Sequence, residues 1–284
     1  NPHVGVTRSV LADGTWFRIP VRREGIYKIT PAYLRDSLGV AQPDLARVQV
    51  YGNGGRTLPL LAGAPRTPDL AEVPTLLAGD GVYFFAEGPW WWTWKPGIGA
   101  APGAWEHDIS PYSRESHYFI RVDAPSPARL QAAPFLGDPA AVVAPTVEAR
   151  LFHEVDAYNQ ERDGAGSGLD WMGETLPRSG DALTVLDTLP AGVDAGAEVR
   201  YRVAVAARAT GQTTVTVNGS GASSTATLFG VNTTSSNNGN LLFLSQLRFT
   251  GSAGATLATT VRASGGESSA LNWLDWAEAF VPQR

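Results

Sequence analysis

Aromatic and β-branched side chains form the first ordered pattern along this chain. Residues 16–21 read Trp-Phe-Arg-Ile-Pro-Val and residues 26–30 read Ile-Tyr-Lys-Ile-Thr, two short runs of the kind that build half-buried strands. Between them Arg23-Glu24-Gly25 offers a glycine free to take positive φ, so the pattern predicts a hairpin. A helix is predicted next, over residues 31–38. Thr30 is placed to cap it, Pro31 suits the first helical position, Leu34 and Leu38 fall four apart on one face, and Gly39 suits the stop. Residues 48–51 read as a third strand, ended by the loop Gly52-Asn53-Gly54-Gly55.

Farther along, residues 82–86 and 118–122 repeat the strand pattern. Residues 124–145 carry Ala and Pro without either period, which predicts a linker or a long surface connection. Beyond it, apolar and β-branched runs at 148–155, 182–186, 198–208, 213–218, 224–229, 241–249, 256–263 and 273–281 alternate with turn residues, the signature of a sandwich or jelly roll. The expected fold is mostly β. A β-rich domain with one short helix is expected over 1–145, and a β-sandwich or jelly-roll domain over 146–284. No internal repeat is evident.

Composition allows one large core or two medium ones, with about two domains expected from length: 284 residues, 43% hydrophobic, 17% charged, with 31 glycines and 20 prolines. The net charge of -5 comes without a basic block, so nucleic acid binding has no electrostatic footprint. Cysteine is absent, which removes disulfides, thiolate metal sites and cysteine nucleophiles from this chain. No apolar run approaches the ~20 residues that cross a bilayer as a helix, and alternating ten-residue segments are too few for a membrane barrel. The start at Asn1-Pro2-His3 reads as already processed, its signal peptide removed.

Several short motifs fall in one order. Trp16-x-x-Ile19-x-Val21, Gly25-Ile26-Tyr27-Lys28-Ile29-Thr30 and Tyr51-Gly52-Asn53-Gly54-Gly55 come first. Gly79-Asp80-Gly81-Val82-Tyr83-Phe84-Phe85-Ala86-Glu87-Gly88-Pro89, Ser110-Pro111-Tyr112-Ser113, Tyr118-Phe119-Ile120, His153-Glu154-x-Asp156 and Asp170-Trp171-x-Gly173-Glu174 follow. Their ordered sum over residues 10–176 resembles the N-terminal, non-catalytic region of the PorU family, the gingipain-related cysteine peptidases of type IX secretion systems. Residues 180–284 agree with that region in type, as a β-rich domain closing on a strand at Leu274-Asp275-Trp276.

The resemblance implies a parent that acts as a sortase, removing C-terminal sorting signals from secreted cargo and attaching the remainder to the outer-membrane surface of a Gram-negative bacterium. Its His and Cys pair would belong to a caspase-like α/β peptidase domain, expected after residue 284 and absent from this chain. The fragment itself is then no enzyme. Its implied partners are its own downstream peptidase domain, on which it packs or which it restrains, and other proteins of the attachment complex.

Local chemistry offers two candidate sites. Trp90, Trp91, Trp92 and Trp94, with Trp105 nearby, sit in a stretch flanked by Pro and Gly that reads as a loop. Buried core or interface packing is one reading, and a platform for sugar rings or a partner is the other. The platform reading supports an alternative function, a carbohydrate-binding module of a surface protein. Glu154, Asp156, Glu161, Asp163, Asp170 and Glu174 crowd one irregular segment, and Asp156, Glu161 and Asp163 are the candidate ligands for calcium, the one cofactor considered. Their spacing does not match an EF-hand loop, and solvated charge explains them equally well. Glycosidase chemistry on paired carboxylates ranks last. No nucleophile elbow accompanies His3, His107, His117 or His153, so no catalytic residue is assigned.

Overall fold

The computed structural model describes residues 7–59, 61, 63–97, 103–131, 144–159, 171–177, 180–186, 188–231 and 242–284. The chain divides into two compact units, Asn1–Gly137 and Asp138–Arg284.

The first unit contains β1 (Trp16–Val21), β2 (Gly25–Ile29), α1 (Pro31–Asp36), β3 (Gln49–Tyr51), β4 (Glu72–Val73), β5 (Leu76–Ala78), β6 (Gly81–Ala86), β7 (Trp90–Lys95), β8 (Ala104–Ile109) and β9 (Ser116–Arg121). Its strands form one antiparallel sheet ordered β1-β9-β3-β4, a second ordered β2-β6-β5, and a separate β7-β8 ribbon. Alternation sends Ile19, Val21, Val50, Tyr118 and Ile120 from the first sheet, and Ile29, Val82, Phe84 and Ala86 from the second, into one core. Pro20 lies in β1, an edge strand, where its missing N–H breaks no central ladder.

The predicted hairpin over residues 16–30 does not form. β1 pairs with β9, from Trp16↔Arg121 to Val21↔Ser116, while β2 pairs with β6, from Gly25↔Ala86 to Ile29↔Val82. Gly25 is not among the glycines with positive φ, so residues 22–24 make a crossing between sheets and not a tight reversal. The deciding factor is long-range: each strand buries its apolar face by pairing with a partner far away in sequence.

The helix stands where the pattern puts it, with an earlier end. Thr30 Oγ1 accepts the Tyr33 N–H at 3.1 Å, and Pro31 occupies the first turn. Leu34 is buried, and Gly39 at φ 71° closes the end as its N–H bonds the Arg35 carbonyl at 3.2 Å.

The second unit carries β10 (Val147–Glu154), β11 (Leu183–Val185), β12 (Glu198–Arg208), β13 (Thr213–Gly219), β14 (Ala222–Leu228), β15 (Phe243–Ser252), β16 (Thr259–Gly265) and β17 (Leu271–Gln283). They form two four-stranded antiparallel sheets, β10-β17-β12-β15 and β11-β16-β13-β14. Counted within this unit, the orders are 1-8-3-6 and 2-7-4-5, the strand order of a jelly roll. Its interior holds Val203, Val205 and Ala207 of β12, Val215 and Val217 of β13, Val261 and Ala263 of β16, and Leu274 and Ala277 of β17. A bulge between Ala204 and Val205 on the β12–β17 ladder shifts the register where β17 passes Asp275.

Candidate functional site

The glycine loop after β3 is a packing device. A Cβ on Gly52 would stand 2.4 Å from Cδ1 of Tyr118, and one on Gly55 would stand 1.9 Å from the Gly88 carbonyl oxygen. Gly54 takes φ 77° against the Glu87 carboxylate. Asn53 holds the loop at both ends of its amide, donating to the Asp69 carbonyl and accepting from the Ala71 N–H, each at 3.0 Å. The Tyr118 hydroxyl accepts the Glu87 N–H at 2.8 Å, so the loop, β9 and the end of β6 are closely joined. From that junction the chain continues into the tryptophans.

These tryptophans form a strand, which corrects the loop reading of residues 90–94. β7 pairs with β8 from Trp90↔Ile109 to Lys95↔Ala104. Period-two alternation places Trp90, Trp92 and Trp94 on one face with Trp105, His107 and Ile109, and Trp91 on the other face. Trp94 meets Trp105 edge-on with centroids 5.5 Å apart, and Trp92 meets His107 at 5.7 Å. A two-stranded ribbon is marginal by itself, and cross-strand aromatic pairs of this kind supply what it lacks. The Arg56 guanidinium lies over Trp91, 5.8 Å from the ring centroid, and reaches Glu87 at 3.5 Å. Trp90, Trp91 and Trp92 are half-buried, whereas Trp94 is 51% exposed. The cluster is thus divided: most of it stabilises the ribbon, and Trp94 presents indole surface to solvent.

An exposed apolar face lies on the sheet β2-β6-β5. Register places Ile26 beside Phe85, and Lys28 beside Tyr83 beside Leu76, all on the side facing away from the core. Ile26 is 71% exposed, and Phe85 and Leu76 are each 48% exposed. Lys28 bonds Asp80, which lifts the ammonium above its ordinary range and lowers the carboxyl, and the Tyr83 hydroxyl donates to Asp80 at 2.9 Å. Sequence reading missed this face because the strand pattern alone does not say which side another layer covers.

The calcium candidates are divided by the structure. Asp156 lies half-buried just after β10, while Glu161 and Asp163 lie outside the described residues, as does Asp170. Among the described residues no group of three His, Asp or Glu side chains is gathered to hold a metal ion. Glu174 is engaged instead with His153, Nε2 to Oε1 at 2.6 Å. His107 and His117 lie near Trp92 and Glu115, and His3 is outside the described residues.

These features define a two-unit β-rich chain: a packed pair of small sheets bearing an aromatic ribbon, followed by an eight-stranded jelly roll. That fold is shared with PorU. The chain superposes on the crystal structure of dimeric latent PorU from Porphyromonas gingivalis with a TM-score of 0.78 at 23% identity, over 97% of this chain and 25% of that one. It therefore spans about a quarter of the PorU chain it matches. Structures of infectious bursal disease virus Gt strain and of the VP2 subviral particle of infectious bursal disease virus align over 90% and 99% of this chain, and over 54% and 74% of theirs, at 12% and 10% identity. Their TM-scores of 0.22 and 0.25 carry no argument. No protein-family profile and no curated protein matches the sequence. No helix among the described residues is long and apolar enough to cross a membrane.

Proposed function

We propose that this chain is the non-catalytic N-terminal region of a PorU-like, gingipain-related peptidase displayed on the outer-membrane surface. The observation that carries the reading is the shared fold over 97% of the chain, at a quarter of PorU's length. The order of motifs along residues 10–176 points the same way. With no cysteine in these 284 residues, the thiol of such a peptidase belongs to another part of the polypeptide. On this reading the parent is the sortase that trims sorting signals from type IX cargo. This region packs on the peptidase domain and restrains it, or docks proteins of the attachment complex. The Ile26–Phe85–Leu76 face supports that role, since clustered exposed apolar side chains mark surfaces that other protein covers.

The test supplies this chain in trans to the remainder of a PorU-type polypeptide. A stable complex with slowed peptide hydrolysis is expected, and the isolated chain should hydrolyse nothing. Absence of a complex, or hydrolysis by a clean preparation of the chain alone, rejects the proposal.

One observation favours the carbohydrate-binding reading: Trp94 is exposed and braced by Trp105 at the end of a ribbon, the arrangement that stacks on a sugar ring. Titration with glycans should then quench tryptophan fluorescence saturably, and Trp94→Ala should abolish the response. A flat titration removes this reading and leaves the first untouched.

A further inference from the structure

Near the start of β17, polar side chains enter the interior of the jelly roll. Leu274 N–H bonds the Glu174 carbonyl at 2.9 Å and Leu176 N–H bonds the Asn272 carbonyl at 2.7 Å, flanking the bridge Thr175↔Trp273. Residues 174–176 therefore extend the sheet edge beyond β10, with Glu174 opposite Leu274 and Leu176 opposite Asn272. Leu176 and Leu274 are core residues, so Glu174 and Asn272 face inward as diagonal neighbours. His153, opposite the core residue Ala277, reaches the same point from β10 and bonds Glu174 Oε1.

Three polar atoms are left over there. Glu174 Oε2 and both amide atoms of Asn272 are buried without a hydrogen-bond partner among the described residues, and Asn272 is only 1% exposed. Buried polar groups in native proteins find partners, and where protein supplies none, water or an ion does.

We infer that Glu174 and Asn272 form a binding site for a hard cation of the calcium class in this part of the jelly roll. A carboxylate oxygen and an amide oxygen are hard ligands, with solvent completing the shell. His153 holds the other carboxylate oxygen and so fixes the rotamer of Glu174, the part a neighbouring histidine plays in positioning a ligand. One carboxylate with neutral oxygens places the site in the weak class, with dissociation constants of about 10⁻⁴ to 10⁻³ M. The inference stands on the second unit alone and is independent of the proposed function.

The experiment uses the whole chain, with calcium and terbium as probes. The melting midpoint should rise with millimolar calcium and fall back with chelator. Terbium luminescence excited through tryptophan should saturate and be displaced by calcium. Glu174→Gln, which keeps an oxygen for His153, should weaken binding by about tenfold or more, and Asn272→Ser should do likewise, whereas Asp156→Asn should leave it unchanged. No calcium-dependent shift by about 10 mM, ten times the weakest class of site, overturns the inference. So does equal binding in Glu174→Gln, or a loss confined to Asp156→Asn. If Glu174→Gln fails to fold, unchanged binding in Asn272→Ser overturns it alone.

Discussion

Arg202 and Glu278 show how much a single buried pair can decide. They stand opposite each other on β12 and β17, on the side of the sheet away from the jelly-roll interior, and their side chains are 8% and 1% exposed. Arg202 Nε donates to Glu278 Oε2 at 2.6 Å, and its guanidinium lies 5.9 Å from the Trp276 ring and 5.4 Å from Phe280. Removing the carboxylate breaks a buried, hydrogen-bonded ion pair, so Glu278→Ala should cost about 3–5 kcal/mol in urea unfolding. The double change Arg202→Met with Glu278→Leu should recover most of it. A loss under about 1 kcal/mol for the single change would refute the argument. Glu267 titrates in a different setting, half-buried in a turn at the surface. Its carboxylate accepts the Thr210 N–H at 2.8 Å and the Gly211 N–H at 3.1 Å, which lowers its pKa from 4.5 to about 2. A depressed carboxyl stabilises the fold above its unfolded value and loses that contribution as pH falls toward 2. Acid titrations of Glu267→Gln should therefore show a shallower loss of stability between about pH 4.5 and 2 than the parent chain; an unchanged slope contradicts this.

Elements were legible where their pattern was local. Alternation located all eight strands of the second unit to within a few residues, because each half-buried strand writes its own period into the sequence. The helix was legible through its cap, proline and Leu34. The hairpin at residues 16–30 was not, because β1 and β2 each pair along one edge with a strand 53 to 105 positions away. The Trp ribbon was read as a loop because Pro and Gly flank it, and β7 finds its ladder only when β8 is folded beside it. The sequence shows residues 52–55 only as a loop ending a strand, whereas their glycines answer to contacts with Tyr118, Glu87 and Gly88. Gly55→Ala should accordingly destabilise the first unit by about 1–3 kcal/mol through overpacking, while Gly221→Ala, at φ 75° with no described atom within 4 Å of its Cβ, should cost only the strain of its backbone, about 1 kcal/mol. Equal effects in chemical denaturation would show that the close approach relaxes freely.

At the scale of the whole molecule the exposed face of β2-β6-β5 carries the prediction. Ile26→Lys with Phe85→Glu, which sets opposite charges on facing positions, should change the stability of the isolated chain by no more than about 0.5 kcal/mol per site, since both side chains already reach water. The same variant should weaken association with the remainder of a PorU-type polypeptide at least tenfold; unaltered association places the interface elsewhere. What the sequence determined by itself was the mostly β class, the strand positions of the second unit, the absence of cysteine chemistry and an ordered set of motifs resembling the PorU family. Those follow from local periodicity, composition and short runs, which need no knowledge of distant neighbours. Only the tertiary structure decided the 1-8-3-6 and 2-7-4-5 strand order, the separation of β1 from β2, the division of the tryptophans between ribbon and solvent, and the bond of His153 to Glu174 diagonally across the sheet from Asn272. Each depends on pairings between residues far apart in sequence, where burial and register, acting over the whole fold, choose among partners that look alike locally.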